Sequence, residues 1–332
     1  MTTFWFIVIA VLWAGFMVLE GFDFGVGALH GVVGRDDAGR REVIHTIGPV
    51  WDGNEVWLIT AGAAMFAAFP GWYATAFSGL YLALILALVG LILRGVAIEY
   101  RHKRDSARWR RRWSVVLTVS SLVLPLMFGV ALADFGYGLP IDASQEFVGS
   151  FWDLLPFYSV FTGIAFLATT LLHGAIFLGT KVDGAPHMRA ARVARVLVPL
   201  VILLVITMIV WTYLAVGGGI LPSIVALATI AAVLAAGWLV VRRRWGWAFV
   251  ATAVTLAGMV LSIFTGMYPN VMVSSLDAAN NLTIHNVSSA PYSLGVLTVV
   301  LAVLFPVVLL YQGWAYRVFR RRAGTGQSVT RP

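Results

Sequence analysis

Residues 45–57 read His45-Thr46-Ile47-Gly48-Pro49-Val50-Trp51-Asp52-Gly53-Asn54-Glu55-Val56-Trp57. They open an apolar run, 43–69, that is long enough to cross a bilayer as a helix. Asp52 and Glu55 stand three apart and so share one helix face. A carboxylate inside hydrocarbon costs at least ~2.5–3.5 kcal/mol on insertion scales, so such acids face a partner, a cavity or an ion path. The apolar run just before it carries the same residues in reverse order. Glu20-x2-Asp23-x6-His30 mirrors His45-x6-Asp52-x2-Glu55.

Composition sets the class. Of 332 residues, 60% are hydrophobic and only 11% charged, which no water-soluble domain conceals. The chain reads as an all-α polytopic membrane protein. Nine segments are long enough to span: 4–34, 43–69, 73–100, 113–137, 157–180, 193–216, 220–241, 246–267 and 292–319. Runs of this length exclude a β-barrel, whose strands need only ~9–11 alternating residues. Thirteen Trp and ten Tyr suit the two membrane interfaces. The absence of Cys excludes disulfides, thiolate haem ligands, Cys-bound zinc and iron–sulfur clusters. Residues 4–19 lack a basic flank and a cleavage site, so a retained helix is expected rather than a signal peptide.

The net charge of +8 does not indicate nucleic acid, because the basic residues sit in alternate loops. Arg35, Arg40 and Arg41 follow the first span, and seven Lys or Arg lie between Arg101 and Arg112. Lys181, Arg189, Arg192 and Arg195, then Arg242, Arg243 and Arg244, and finally Arg317, Arg320, Arg321, Arg322 and Arg331 continue the pattern. The other loops hold no Lys or Arg. The positive-inside rule therefore places the N-terminus outside and the C-terminus in the cytoplasm. Only Arg94 stands within a span. Asn281-Leu-Thr and Asn286-Val-Ser match the weak glycosylation sequon, in a loop better suited to capping the outer face.

Leu29-His30-Gly31 recurs as Leu172-His173-Gly174. The repeat suits two four-helix units, spans 1–4 and 5–8, with a ninth span added. The expected division is 1–140 for the first bundle, 141–270 for an external loop and the second bundle, and 271–332 for a second external loop, the ninth span and a basic tail. Gly163 and Phe166 replace Glu20 and Asp23 in the second unit, so the acids are one-sided.

Antiparallel spans with reversed spacing put like residues at like depth. At ~1.5 Å per residue, His30 and His45 fall ~5–8 Å from the cytoplasmic boundary, Asp23 and Asp52 ~15–18 Å, and Glu20 and Glu55 ~20–22 Å. If the faces meet, histidines, aspartates and glutamates form a column that can share protons. The alternative is that the acids only hold helices together, with Arg94 as the counter-ion to one of them. Pro49, read as internal to its helix, frees the His45 carbonyl and opens a place for water. Gly15, Gly21, Gly25, Gly27 and Gly31 form a stripe for close helix approach. His30, His45 and His173 are the candidate b-haem ligands, although a His at the end of a span more often bonds within the helix bundle. No metal site of any other kind is expected. Glu99 is read as interfacial, and Asp134 as facing water or a partner.

At these residues the chain resembles subunit II of cytochrome bd quinol oxidases. The matching stretches are Gly21–Gly27, Pro49–Trp57, Ala68-Phe-Pro70, Trp72-Tyr-Ala74, Phe77–Tyr81, Arg94-Gly95, Glu99-Tyr-Arg101, Leu171–Ala175, Leu282–Asn286 and Ser289–Tyr292. Val273 departs from the pattern, where a proline is expected. The resemblance implies a fold of two four-helix bundles plus one peripheral C-terminal helix, in a subunit of a bacterial plasma-membrane oxidase that couples quinol oxidation to reduction of oxygen to water. It implies a subunit I partner that carries haems b and d, a small single-span peptide in some complexes, and a structural quinone in some. It also implies that Asp23, Trp51 and Asp52, with Glu55 nearby, line a cytoplasmic proton path, that this chain holds no haem, and that it is not catalytic alone. Two other readings stand beside it: a proton- or cation-coupled transporter using Glu20, Asp23, Asp52 and Glu55, and a self-sufficient b-haem membrane protein.

Overall fold

A computed structural model describes residues 1–318. Arg320, Arg321, Arg322 and Arg331 of the basic tail lie outside the described residues. The helices are α1 (Thr2–Val33), α2 (Asp37–His45), α3 (Trp51–Ala68), α4 (Pro70–Gly79), α5 (Tyr81–Tyr100), α6 (Ala107–Tyr137), α7 (Phe157–Lys181), α8 (Gly184–Ala215), α9 (Ile220–Val241), α10 (Trp245–Met267) and α11 (Pro291–Val318). A two-stranded ladder, β1 (Asn270–Met272) with β2 (Leu282–Thr283), lies in the loop before α11. Among the described residues, eight helices, α1 and α5 to α11, are long and apolar enough to cross a membrane.

Two of the expected spans are broken. The run 43–69 is not one helix: α2 ends at His45, turns occupy 46–50, and α3 starts at Trp51. Pro49 lies in that break rather than inside a helix, and the neighbouring amides are satisfied locally. Gly48 N donates to Ile44 O, and Val50 N and Trp51 N donate to Ile47 O. Proline has no N–H to continue a helix through this point. The polar group Asp52, Asn54 and Glu55 therefore falls in the first turns of α3, where Asp52 complements the positive end of the helix dipole. The run 73–100 is likewise divided, with Pro70 opening α4 and Leu80 separating it from α5.

The centre of the molecule is α1, packed on α3, α6, α7 and α10. Its crossing with α7 depends on glycine. A Cβ on Gly25 would lie 2.7 Å from Gly174 Cα, so the two backbones are in direct contact. The other extreme is α11, in which only Leu294 is buried among 28 residues.

The end remote from the basic loops is closed by 138–156 and 268–290. Ser274 Oγ and Asn280 Nδ2 both donate to Ile141 O, at 2.7 and 3.1 Å, and Thr75 Oγ1 of α4 donates to Gln145 O at 2.7 Å. Both sequon asparagines brace this loop. Asn281 Oδ1 accepts from Ser274 N, and Asn286 Oδ1 accepts from Thr283 N.

At the basic end Arg101 is buried, although its position in the sequence suggests a loop charge. It donates to Asp37 Oδ1 at 2.7 Å and to Ser114 Oγ at 2.8 Å, and Arg110 adds a contact to Asp37 at 3.4 Å. Desolvation alone would raise the Asp37 carboxyl, but the Arg101 hydrogen bond and charge, with Arg110, outweigh it and hold the pKa below the usual aspartate value.

Candidate functional site

The intramembrane acids converge where α1, α3 and α5 meet. Glu20, Asp23 and Arg94 are fully buried. Arg94 Nη1 forms an ion pair with Glu20 Oε1, lies 3.7 Å from Glu55 Oε2, and places its guanidinium 4.8 Å from the centre of the Phe24 ring. The arginine thus answers carboxylates of both α1 and α3. Three carboxyls face one guanidinium here, and Glu20 Oε2, Asp23 Oδ1, Glu55 Oε2 and Arg94 Nε and Nη2 make no hydrogen bond among the described residues. Buried polar atoms in native proteins are otherwise nearly always bonded to protein or ordered water.

The mirrored column does not close. His30 and Asp23 are buried, but His45 and Asp52 are exposed on the surface of this chain, and Glu55 is about one-fifth exposed. The physical reason is the rotation of α3. Asn54 faces α1, donating from Nδ2 to Asp23 Oδ2 at 2.7 Å and to Leu19 O at 3.2 Å. Asp52, two residues earlier, points ~200° round the helix and so away from α1. Asp52 and Glu55 do lie toward one side, but Asn54, not Asp52, is the neighbour of Asp23. Trp51 is half-buried with its ring over α5, where a Cβ on Gly95 would come 3.1 Å from it.

Three polar residues absent from the sequence-based candidates complete the cluster. Asn54 Oδ1 accepts from Gln312 Nε2 at 3.1 Å and from Tyr316 Oη at 2.8 Å, and Trp57 Nε1 donates to Gln312 Oε1 at 3.1 Å. These bonds tie α11 to the site. The available signal was the stripe Asn54, Ala61, Met65, Ala68, which is the buried face of α3.

The two buried histidines differ in how their ring nitrogens are engaged. His173 is held at both ring nitrogens, Nδ1 by Thr252 Oγ1 at 2.6 Å and Nε2 by Val18 O at 3.3 Å, and stacks on Phe249 with centroids 4.4 Å apart. His30 donates Nδ1–H to Gly27 O at 2.7 Å, and its Nε2 is buried without a partner among the described residues. Ligation at His173 would break an existing bond. Glu99 is exposed, and Asp134 is fully buried near the loop-capped end.

The profile of the family "Cytochrome bd terminal oxidase subunit II" matches residues 1–319. The chain belongs to that family. It is 38% identical over 331 residues to cytochrome bd ubiquinol oxidase subunit 2 of Bacillus subtilis, covering 98% of each chain. To cytochrome bd-I ubiquinol oxidase subunit 2 of Escherichia coli K12 it is 34% identical over 349 residues, covering 94% of this chain and 92% of the relative. The fold is also that of a chain in the bd oxidase structure from Geobacillus thermodenitrificans, with a TM-score of 0.75 at 20% identity, across 96% of this chain and 98% of that one. Family membership and the eight apolar helices make it a multi-pass bacterial membrane protein and one subunit of a respiratory terminal oxidase.

Proposed function

We propose that this chain pairs with a haem-bearing subunit I in a quinol oxidase, as scaffold and as the route by which cytoplasmic protons enter. Quinol is the reductant and oxygen the acceptor. Haems b and d lie on the partner, a division supported by the engagement of His173 and the outward position of His45. The observation that carries the proton role is the fully buried Glu20–Asp23–Arg94 group with its unpartnered oxygens, set between α1, α3 and α5.

In this reading α3 and the turn before it form a ninth crossing. The N-terminus is then outside, the basic end cytoplasmic, and α11 peripheral to two four-helix units divided near 140 and 270. Asp52 fits the same picture. An acid on an outward face next to an apolar helix surface is costly in lipid, so subunit I covers that face and receives protons there. The apolar cleft among α3, α4, α5 and α6, about 600 Å³ and lined by Trp13, Met65, Phe66, Tyr73 and Phe128, is the place on this chain for a quinone ring and tail. A small single-span peptide completes some complexes of this kind.

The test is oxygen consumption by the purified two-subunit complex carrying Asp23→Asn or Asp52→Asn. Each variant should keep its haem absorption and lose at least about tenfold in turnover, a change of ~1.4 kcal/mol in barrier. Full turnover in both would remove the proton route and leave the scaffold role. Haem retained by this chain alone would overturn the assignment of haem to the partner.

A further inference from the structure

We infer that Asn54 is the positioning residue of the proton path: it occupies Asp23 Oδ2, so that Asp23 takes up and passes its proton at Oδ1, and α11 sets the orientation of the amide. The inference rests on the proton-uptake role proposed above.

A carboxamide side chain has two N–H donors and two acceptor lone pairs. In Asn54 all four are used. Nδ2 donates to Asp23 Oδ2 and Leu19 O, and Oδ1 receives Gln312 Nε2 and Tyr316 Oη. The partners decide which way the amide points. Leu19 O is a backbone acceptor and cannot donate, so a flipped amide would set oxygen against oxygen there. Tyr316 and Gln312 hold Oδ1 on the opposite side. The residue is fully buried, so water does not compete for these bonds.

The consequence falls on Asp23. An N–H aimed at Oδ2 occupies one of its two lone pairs and biases the proton to Oδ1, because the carbonyl oxygen of a carboxylic acid is a better acceptor than its hydroxyl oxygen. Oδ1 is buried and has no partner among the described residues. It is therefore the oxygen that accepts and releases the proton. The ionisable groups that act on Asp23 are Glu20 on its own helix, Glu55 from α3, Arg94 from α5 and Tyr316 from α11. Fixing the exchanging oxygen fixes which of these neighbours and which bound water it can reach. A charge-assisted hydrogen bond has the directionality to do this.

The role of α11 follows from how little else holds it. One residue of this helix is buried, yet two of its side chains end on Asn54 and a third contact runs from Gln312 to Trp57. The helix contributes orientation to a site whose carboxyls all belong to other helices.

The experiment uses the two-subunit complex with Asn54→Leu, Tyr316→Phe and Asp23→Asn. Haem absorption reports assembly, oxygen consumption across pH reports turnover, and redox-difference infrared spectra report the carboxylic C=O stretch of Asp23, identified by its loss in Asp23→Asn. Asn54→Leu should keep its haems, lose about tenfold in turnover, displace the pH profile and move the Asp23 band. Tyr316→Phe removes one donor to Oδ1 and should split or broaden that band, with a loss of about two- to threefold. A turnover loss that tracks haem loss, with an unmoved band and pH profile, would reduce Asn54 to a brace between helices. If Asn54→Leu does not assemble, an unmoved band in Tyr316→Phe overturns the inference by itself. Full turnover in Asp23→Asn is a different failure: it ends the proton route, and the positioning role with it.

Discussion

The two halves of the mirrored acid set, nearly identical as spacing, have opposite fates in the fold. On α1, Glu20, Asp23 and His30 are all buried, with the carboxyls held by Arg94 and Asn54. On the α2–α3 side, His45 and Asp52 are exposed and Glu55 is about one-fifth exposed. The α1 helix is surrounded by four others, whereas α3 stands at an edge. Reversed spacing equalises depth, but it leaves rotation about the helix axis free. Depth alone does not make two residues neighbours.

The contrast is open to attack where it is strongest. Replacing Arg94 by Met leaves Glu20 buried without its counter-charge, and should lower the thermal stability of the purified chain by about 3–5 kcal/mol. Adding Glu20→Gln to that variant should recover most of the loss. A single Arg94→Met variant as stable as the parent would show that the α1 half is not held by charge pairing. Next in size is the packing that encloses α1. Gly174→Leu forces a side chain into the backbone of Gly25, and should cost about 1–3 kcal/mol and separate α1 from α7. Cross-linking between cysteines introduced on these helices would detect the separation.

The edge half should respond less. Asp37→Asn loosens α2 from Arg101 at a half-exposed site and should cost less than about 1 kcal/mol. Its pH dependence has a definite sign. The folded-state pKa of Asp37 lies below the ordinary value, so its contribution is complete above the unfolded-state pKa. It is lost as pH falls through the folded one. Thermal melts of wild type and Asp37→Asn should therefore differ at neutral pH and converge in acid. Smallest of all is Asp52→Asn in the isolated chain, within about ±0.5 kcal/mol, as for surface positions generally. The same variant in the complex should lose turnover, and the distance between those two results measures how much of the role of Asp52 depends on a partner.

Hydropathy and loop charge were enough to read the helical, membrane-spanning class and the burial of the α1 acids. Hydropathy averages over a window, and so it missed the breaks at 46–50 and at Leu80. Pro49 marks the first, but read as an internal residue it concealed that break, and no proline marks the second. The facing of α3 was legible in principle. Asn54, Ala61, Met65 and Ala68 recur at helical intervals as its small or core-facing residues, but two carboxylates drew attention to the other side. Arg101 shows the same limit from the opposite direction. Counted with the loop charges, it is buried on Asp37 and Ser114, a pairing between residues 64 apart in sequence that no local pattern announces.

The thin attachment of α11 bears on how the protein is made. Translation delivers this helix after α1 to α10, and a membrane chain packs its helices as they arrive. Until it docks, Asn54 Oδ1 lacks both of its donors and the amide can turn over. The buried acids of α1 thus meet their final surroundings only when α11 is seated, so a chain without that helix leaves the Asn54–Asp23 contact unfinished in the membrane.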